Sequence, residues 1–176
     1  MPSLAPADLL MILCVHGDVH IWERLGWLCD IGVFLETNPA VDWEQVSATA
    51  ARQGWERRLF LALRLTQDLL GVPVPETLRR RLEADPVVGP LARQVGNWLL
   101  GEAGNRPKFS ETLAYYLKGR ERFRDKIRLF HTLISPNAAE FERCPSWLLS
   151  GAPYVLLYFL RPFLLFGRHV LKLKNF

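Results

Sequence analysis

The chain has 176 residues, of which 49% are hydrophobic and 23% are charged, a composition typical of a globular protein and not of a disordered one. Its net charge is only +4 at pH 7, and acidic residues interrupt its basic stretches, so no nucleic-acid partner is expected. The three cysteines form no CxxC pair, which argues against a disulfide framework or a zinc knuckle and favours a cytoplasmic location. The first residues lack a basic leader, so we expect no signal peptide.

Apolar residues recur at helical spacing along nearly the whole chain, which predicts an all-α fold, an irregular bundle of six to eight helices. Gly17 is a point where the first helix could bend, and the Asn-Pro turn at 37–42 ends it, with Asp42 as the cap of the next helix. Pro86 is expected in the first turn of a later helix, and Ser110 is expected to cap another. The segments expected to be helical are, in chain order, 9–36, 43–54, 55–71, 76–85, 86–101, 111–134 and a tail broken at Pro162.

The longest loop is expected at 102–110, where glycine and proline interrupt the helical pattern. No internal repeat and no long linker divides the sequence. We therefore expect residues 1–176 to form a single helical domain.

The segment from His16 to Ile31 combines histidines, tryptophans and acids in an otherwise apolar stretch. If residues 9–36 form one continuous helix, a turn of 100° per residue places one set of polar and aromatic side chains on a narrow stripe. The stripe consists of His16, His20, Glu23, Trp27 and Asp30. The opposite, apolar arc includes Cys14, Leu25, Cys29 and Val33, so both cysteines are expected to be buried and inert.

Two interpretations of the stripe involve no metal ion. Most polar stripes are the solvated faces of amphipathic helices, and that accounts for the acids and histidines. It does not account for Trp27, a large ring in the middle of the polar side, which instead suggests a groove or a partner.

A metal site at this stripe is the third interpretation. His16 and His20 stand four residues apart, a spacing that lets two imidazoles share one ion. The zinc-protease pattern, however, requires Glu directly after the first histidine, where this chain has Gly17. Asp30 would lie about 15 Å from His20 along the axis of a straight helix, too far to share an ion with the two histidines. We therefore predict no metal ligands.

The opening segment "LCVHGDVHIWERLGWLCDI" resembles the hallmark segment of a bacterial family, the uncharacterised nucleotidyltransferases. The stretch "DWEQVSATAARQGWERRLFLALRLTQDLLGVPVP" resembles the helix pair that follows in this family, and "YFLRPFLLFGRHV" resembles its closing Leu-Arg-Pro segment. The residues that match the hallmark are His16, Gly17, His20, Trp22, Leu25, Trp27, Leu28 and Asp30.

The resemblance is to the helical, C-terminal portion of such proteins, which are similar to polymerase-beta-like nucleotidyltransferases. It implies that this portion lies over the active cleft and that His16, His20, Trp27 and Asp30 bind the nucleotide or acceptor substrate. A tryptophan can stack on a base, and His or Asp can form hydrogen bonds to sugar or phosphate.

The catalytic motif of those enzymes is missing here. It consists of a Gly-Ser or Gly-Gly turn with paired carboxylates that hold two divalent metals, and this chain has neither dipeptide. The pairs Asp42/Glu44 and Glu83/Asp85 have the right spacing but the wrong context, and we interpret them as helix caps and solvated charges. The chain is thus expected to be inactive alone. The catalytic portion would be missing because the gene is truncated, or because a separate catalytic domain or partner protein supplies it. Mg²⁺ is expected only in a complete enzyme, and no cofactor in this chain.

The competing hypothesis is a helical module that binds a protein or a membrane surface and has no enzymatic activity. The apolar tail after Tyr154 contains Arg161 and Pro162, which argue against a membrane-spanning helix. Its mixture of basic and aromatic residues is compatible with a helix at a membrane surface, and a membrane-peripheral location is the alternative to a cytoplasmic one.

Overall fold

The computed structural model describes residues 4–101 and 107–134, and within these ranges it contains eight α-helices and no strand. The predicted all-α irregular bundle is therefore confirmed. The helices are α1 (Pro6–Val19), α2 (Leu25–Thr37), α3 (Trp43–Gln53), α4 (Glu56–Leu70), α5 (Glu76–Ala84), α6 (Val88–Leu100), α7 (Phe109–Gly119) and α8 (Phe123–Ile134).

Helix α4 forms the centre of the core and contacts α1, α2, α3 and α6. Five consecutive residues, from Leu59 to Leu63, are buried on it, so α4 is enclosed on more than one side. Its neighbours contribute one apolar face each, such as Leu10 and Cys14 from α1 or Leu28 and Ile31 from α2. Burial of these faces is the main source of stability for a bundle of this kind.

Residues 9–36 do not form one continuous helix, because the chain leaves the helical conformation between Val19 and Leu25. The break lies after Gly17, where a bend was expected, and Gly17 itself lies inside α1. Because of this break, α2 does not bury the same side that a straight continuation of α1 would bury. As a result Leu25, Cys29 and Val33, expected on the buried arc, are exposed. Cys14, which precedes the break, is fully buried as predicted, and burial raises the pKa of its thiol.

The other helix boundaries follow local signals in the sequence. The Asp42 carboxylate accepts a hydrogen bond from the Gln45 backbone N–H at 3.0 Å, as expected of an N-cap. Gly54 and Gly71 end α3 and α4 with φ of 70° and 73°, a conformation that favours glycine.

Two predicted boundaries are shifted. Pro86 lies in the turn before α6, which begins at Val88, and so is not in the first helical turn. Helix α7 begins at Phe109, which places Ser110 inside the helix instead of at its cap. At this end the Lys108 backbone N–H donates to the Glu111 carboxylate at 2.7 Å.

The chain divides into two compact units, Met1–Arg122 and Phe123–Phe176. Of the second unit the structure describes α8 alone. No helix in the described ranges is long and apolar enough to cross a membrane. Residues 102–106 of the predicted loop, Cys144, the predicted tail with Pro162 and the Leu-Arg-Pro segment lie outside the described residues.

Candidate functional site

The connection between α1 and α2 has an unusual backbone. Ile21 and Trp22 both have φ of 55°, the left-handed region that residues other than glycine seldom occupy. The Trp22 backbone N–H donates to the Gly17 carbonyl at 2.8 Å, which closes the end of α1 over this turn. Two adjacent residues in this conformation store backbone strain of roughly 1–2 kcal/mol each. Surrounding contacts must therefore hold the turn in place.

The principal contact is the burial of Trp22 against Gly17. The Trp22 side chain is completely buried, and its six-membered ring lies on the α carbon of Gly17. A Cβ atom at position 17 would lie 2.5 Å from Cε3 and Cη2 of that ring, closer than atoms can approach. Glycine is required here to admit the indole ring, and α1 continues through it to Val19.

The turn brings together three of the four predicted substrate-binding residues. The ring centroids of His16 and His20 are 4.7 Å apart, and those of His16 and Trp27 are 5.1 Å apart in an edge-to-face arrangement. The His20 and Trp27 centroids are separated by 5.3 Å. Both histidines are exposed and Trp27 is half-buried. We call these three side chains the His–Trp surface.

Two charged residues accompany the His–Trp surface. The Arg24 guanidinium carbon lies 5.9 Å from the Trp27 ring centroid, within range of a cation–π interaction. Asp30, the fourth predicted residue, is exposed on α2 about one turn beyond Trp27. Its carboxylate has no hydrogen bond or ion pair with any residue that the structure describes. The rings and Arg24 form a surface suited to a planar or anionic group, and Asp30 is available to a ligand.

Beneath this surface lies a buried charge that sequence reasoning did not assign. Asp18 is 1% exposed, and its Oδ2 atom lies 3.0 Å from Arg58 Nε and 3.4 Å from Arg120 Nη1. The Tyr115 hydroxyl donates to its Oδ1 atom at 2.8 Å. A buried carboxylate needs such partners, because removing an ion from water costs several kcal/mol. We call Asp18, Arg58, Tyr115 and Arg120 the Asp18 cluster.

The Asp18 cluster fixes the last turn of α1 to α4 and α7. Next to it, the Tyr116 hydroxyl donates to the Val19 backbone carbonyl at 2.6 Å. Burial and then the negative charge of Asp18 raise the pKa of both Tyr115 and Tyr116 above that of an ordinary tyrosine, so the two hydroxyls keep their protons into the alkaline range. Asp18 lies between His16 and His20 in the sequence, so these contacts fix the stretch of backbone that carries the two histidines.

One signal for this cluster was present in the sequence. Asp18 falls among apolar residues on the helical wheel of α1, and a charge in that position needs a buried partner. The partners lie 40, 97 and 102 residues later, at positions 58, 115 and 120. No local spacing connects them to Asp18, which is why they were missed.

One carboxylate of each pair with catalytic spacing has a structural partner. Asp42 caps α3, as described above, and Asp85 forms an ion pair with Arg57 at 2.9 Å and accepts from the Val87 N–H at 2.8 Å. Over the described ranges, no group of three or more His, Cys, Asp or Glu residues could hold a metal ion. The residues that the structure describes therefore do not fit the two-metal centre of a complete nucleotidyltransferase.

A separate cleft of about 380 Å³ lies between α3 and α5 and is lined by Trp43, Ser47 and Arg81 among others. Arg81 donates to the Ser47 hydroxyl and forms an ion pair with Glu56, whose carboxylate balances the charge of this cation. None of the four predicted substrate-binding residues lines this cleft.

One protein-family model matches the first part of the chain, where the opening segment carries the predicted resemblance. Residues 1–71 match the model of a family described as uncharacterised nucleotidyltransferase. The match includes the whole His–Trp surface, Asp30, Asp18 and the α3–α4 helix pair, and it does not extend to the closing Leu-Arg-Pro segment. No match was found among curated proteins or among solved structures.

Proposed function

We propose that this chain is the helical, substrate-covering part of a nucleotidyltransferase-family protein, and that His16, His20, Trp27 and Asp30 bind the nucleotide or acceptor. The observation that carries the proposal is the His–Trp surface itself. Three residues of the family hallmark come together at a strained turn, are largely accessible to solvent, and are held from below by a buried ionic cluster. Backbone strain that the surrounding structure maintains is a common property of functional sites.

The side chains of this surface suit a nucleotide. An indole ring can stack on a base, and the Arg24 guanidinium that now lies over Trp27 can pair with a phosphate when a base replaces it. The two imidazoles offer hydrogen bonds as donors or acceptors, and Asp30 can accept from a ribose hydroxyl. These contacts bind and orient a substrate without performing the transfer.

We further propose that the chain does not transfer nucleotidyl groups alone. The transfer requires clustered carboxylates for two divalent cations, and the described residues supply none. A catalytic domain or partner protein would contribute them together with Mg²⁺. An assay with labelled nucleotides in the presence of Mg²⁺ and Mn²⁺ tests this, and incorporation above background would contradict it.

Binding can be tested separately from catalysis through the histidine resonances in proton NMR. The chain has only four histidines, His16, His20, His131 and His169. Titration with millimolar nucleoside triphosphates should shift the His16 and His20 signals together, because their rings are in contact, and leave His131 unchanged. Trp27→Leu should abolish the shifts. Shifts that persist in this variant, or that affect all four histidines equally, would contradict the proposed surface.

The competing hypothesis, a protein-interaction module without enzymatic activity, is favoured by the outer face of α1. Leu9, Ile12 and Val19 are exposed there although the opposite side of α1 is in the core. A helix that is apolar on both sides is normally buried on both sides, so this face suits a protein partner, including a separate catalytic domain. Reading the DNA upstream of the start codon distinguishes the hypotheses: an in-frame segment that encodes a glycine-serine turn and paired aspartates would favour the enzyme.

A further inference from the structure

Helix α8 carries a row of large apolar side chains that face water. Phe123, Ile127 and Phe130 follow one another at intervals of four and three residues, which places them on one side of a helix. They are 77%, 53% and 46% exposed. Three such side chains on a helix of 12 residues form a continuous apolar strip, which in water is typical of a surface that binds a partner.

The charges of α8 are arranged around this strip in a specific way. At 100° per residue, Arg124 and Lys126 fall on opposite edges of the strip, about 90° and about 70° from its centre, and Arg128 lies beyond Arg124. Asp125, the only acid of α8, falls about 170° from the centre, on the far side. None of the three cations has an ion pair with a described residue.

We propose that α8 binds to the surface of an anionic lipid bilayer, with its axis parallel to the membrane plane. Phe123, Ile127 and Phe130 would enter the boundary between headgroups and acyl chains, at a depth of roughly 5–10 Å. The long stems of Arg124 and Lys126 would then carry their charges back to the headgroup phosphates on both sides of the helix. Asp125 would point away from the negative surface.

This arrangement favours a membrane over the other polyanionic partner, a nucleic acid. Contacts with a nucleic-acid backbone need cations but leave three large apolar side chains in water. An apolar groove on a protein would bury the strip but would not require cations on both of its edges. A bilayer with anionic headgroups satisfies the strip and the cations at the same time. The inference is independent of the proposed nucleotidyltransferase role, since no residue of α8 belongs to the His–Trp surface.

The test is flotation of the full chain with vesicles of phosphatidylcholine and phosphatidylserine at a molar ratio near 3:1. We expect binding to these vesicles, and binding at least tenfold weaker to pure phosphatidylcholine, because each Arg or Lys near an anionic surface contributes roughly fivefold. Raising the salt concentration should release the protein, since it screens the charges. Absence of binding to the anionic vesicles would overturn the proposal. So would a competition experiment in which duplex DNA displaces the protein from the vesicles because α8 binds the DNA more tightly.

Two matched pairs of variants assign the binding to α8. Ile127→Ser should weaken vesicle binding about tenfold, the effect of losing one buried aliphatic side chain. Ile12→Ser removes the same side chain from an equally exposed position, 50% against 53%, and should leave vesicle binding unchanged. Equal effects of Ile12→Ser and Ile127→Ser, or no effect of Ile127→Ser, would overturn the proposal.

The charge pair follows the same design. Arg124→Gln with Lys126→Gln should weaken binding to anionic vesicles, whereas Arg79→Gln with Arg80→Gln, two exposed positions on α5, lowers the net charge equally and should have little effect. Because all four side chains are at least partly exposed, circular dichroism should show native helix content in both double variants. Equal loss of binding in the two would show a general charge effect and overturn the assignment to α8.

Discussion

Replacing Asp18 by asparagine tests whether the buried ionic cluster supports the fold of the site. Asparagine keeps the shape of the side chain and one oxygen that can accept from Tyr115, but it removes the negative charge. The Arg58 side chain, 10% exposed, would lose the carboxylate that lies 3.0 Å from its Nε atom. Removing one partner of a buried ion pair costs about 3–5 kcal/mol, which is a large fraction of the roughly 5–15 kcal/mol that stabilises a typical domain.

The matched control is Asp68→Asn on α4. Asp68 pairs with Arg64 at 2.8 Å, and both side chains are 35% exposed, so water already screens the interaction. An exposed pair with this i, i+4 spacing contributes about 0.3–0.5 kcal/mol. The two substitutions are chemically identical, and only the burial of the carboxylate and of its partners differs.

The measurement is urea unfolding followed by tryptophan fluorescence. Five of the six tryptophans, all except Trp147, lie in the unit that contains Asp18, so the signal reports mainly on that unit. We expect the free energy of unfolding to fall by about 3–5 kcal/mol for Asp18→Asn and by no more than about 0.5 kcal/mol for Asp68→Asn. Equal losses in the two variants would refute the view that the Asp18 cluster holds α1 in place.

Three further predictions concern glycine, tyrosine and cysteine. Gly17→Ala should destabilise the protein by about 1–3 kcal/mol, because the added methyl group would overpack against Trp22. Gly96→Ala, in a helix with no atom near the added methyl group, should stabilise the protein by about 0.4–1 kcal/mol, and urea unfolding measures both effects. Above pH 10 the unfolded chain loses the Tyr115 proton before the folded one does, so stability should fall by up to about 1.4 kcal/mol per pH unit, and Tyr115→Phe should reduce this slope. Mass spectrometry after a thiol reagent at neutral pH should show that the exposed Cys29 reacts and the buried Cys14 does not, and modification of Cys14 in the folded protein would contradict its burial.

Local sequence signals predicted the helices well because their boundaries depend on neighbouring residues. The Asn-Pro turn with its Asp42 cap and the terminal glycines Gly54 and Gly71 fix where α2, α3 and α4 begin or end. The α1–α2 break carries no such signal. It has no proline, and its two residues with positive φ are Ile21 and Trp22, which local propensity disfavours there.

Tertiary contacts explain why the break exists. The Trp22 ring gains complete burial against Gly17, and this burial offsets the strain of the turn. A helical wheel cannot represent such a contact between residues five apart. The wheel assumed a straight helix, which is incorrect, although the grouping of His16, His20 and Trp27 that it predicted is correct. The grouping itself survives because the turn folds α2 back beside the end of α1, where the three rings meet.

The Asp18 cluster also shows how much of the chain the His–Trp surface requires. The family match ends at residue 71 and includes Asp18 and Arg58, whereas Tyr115 and Arg120 lie beyond it. A fragment of residues 1–71 would keep the hallmark but leave Asp18 with one of its three partners. Since a buried carboxylate needs its partners, we expect such a fragment to lose the fixed arrangement of the histidines, so α7 is as necessary to the His–Trp surface as the hallmark segment that carries it.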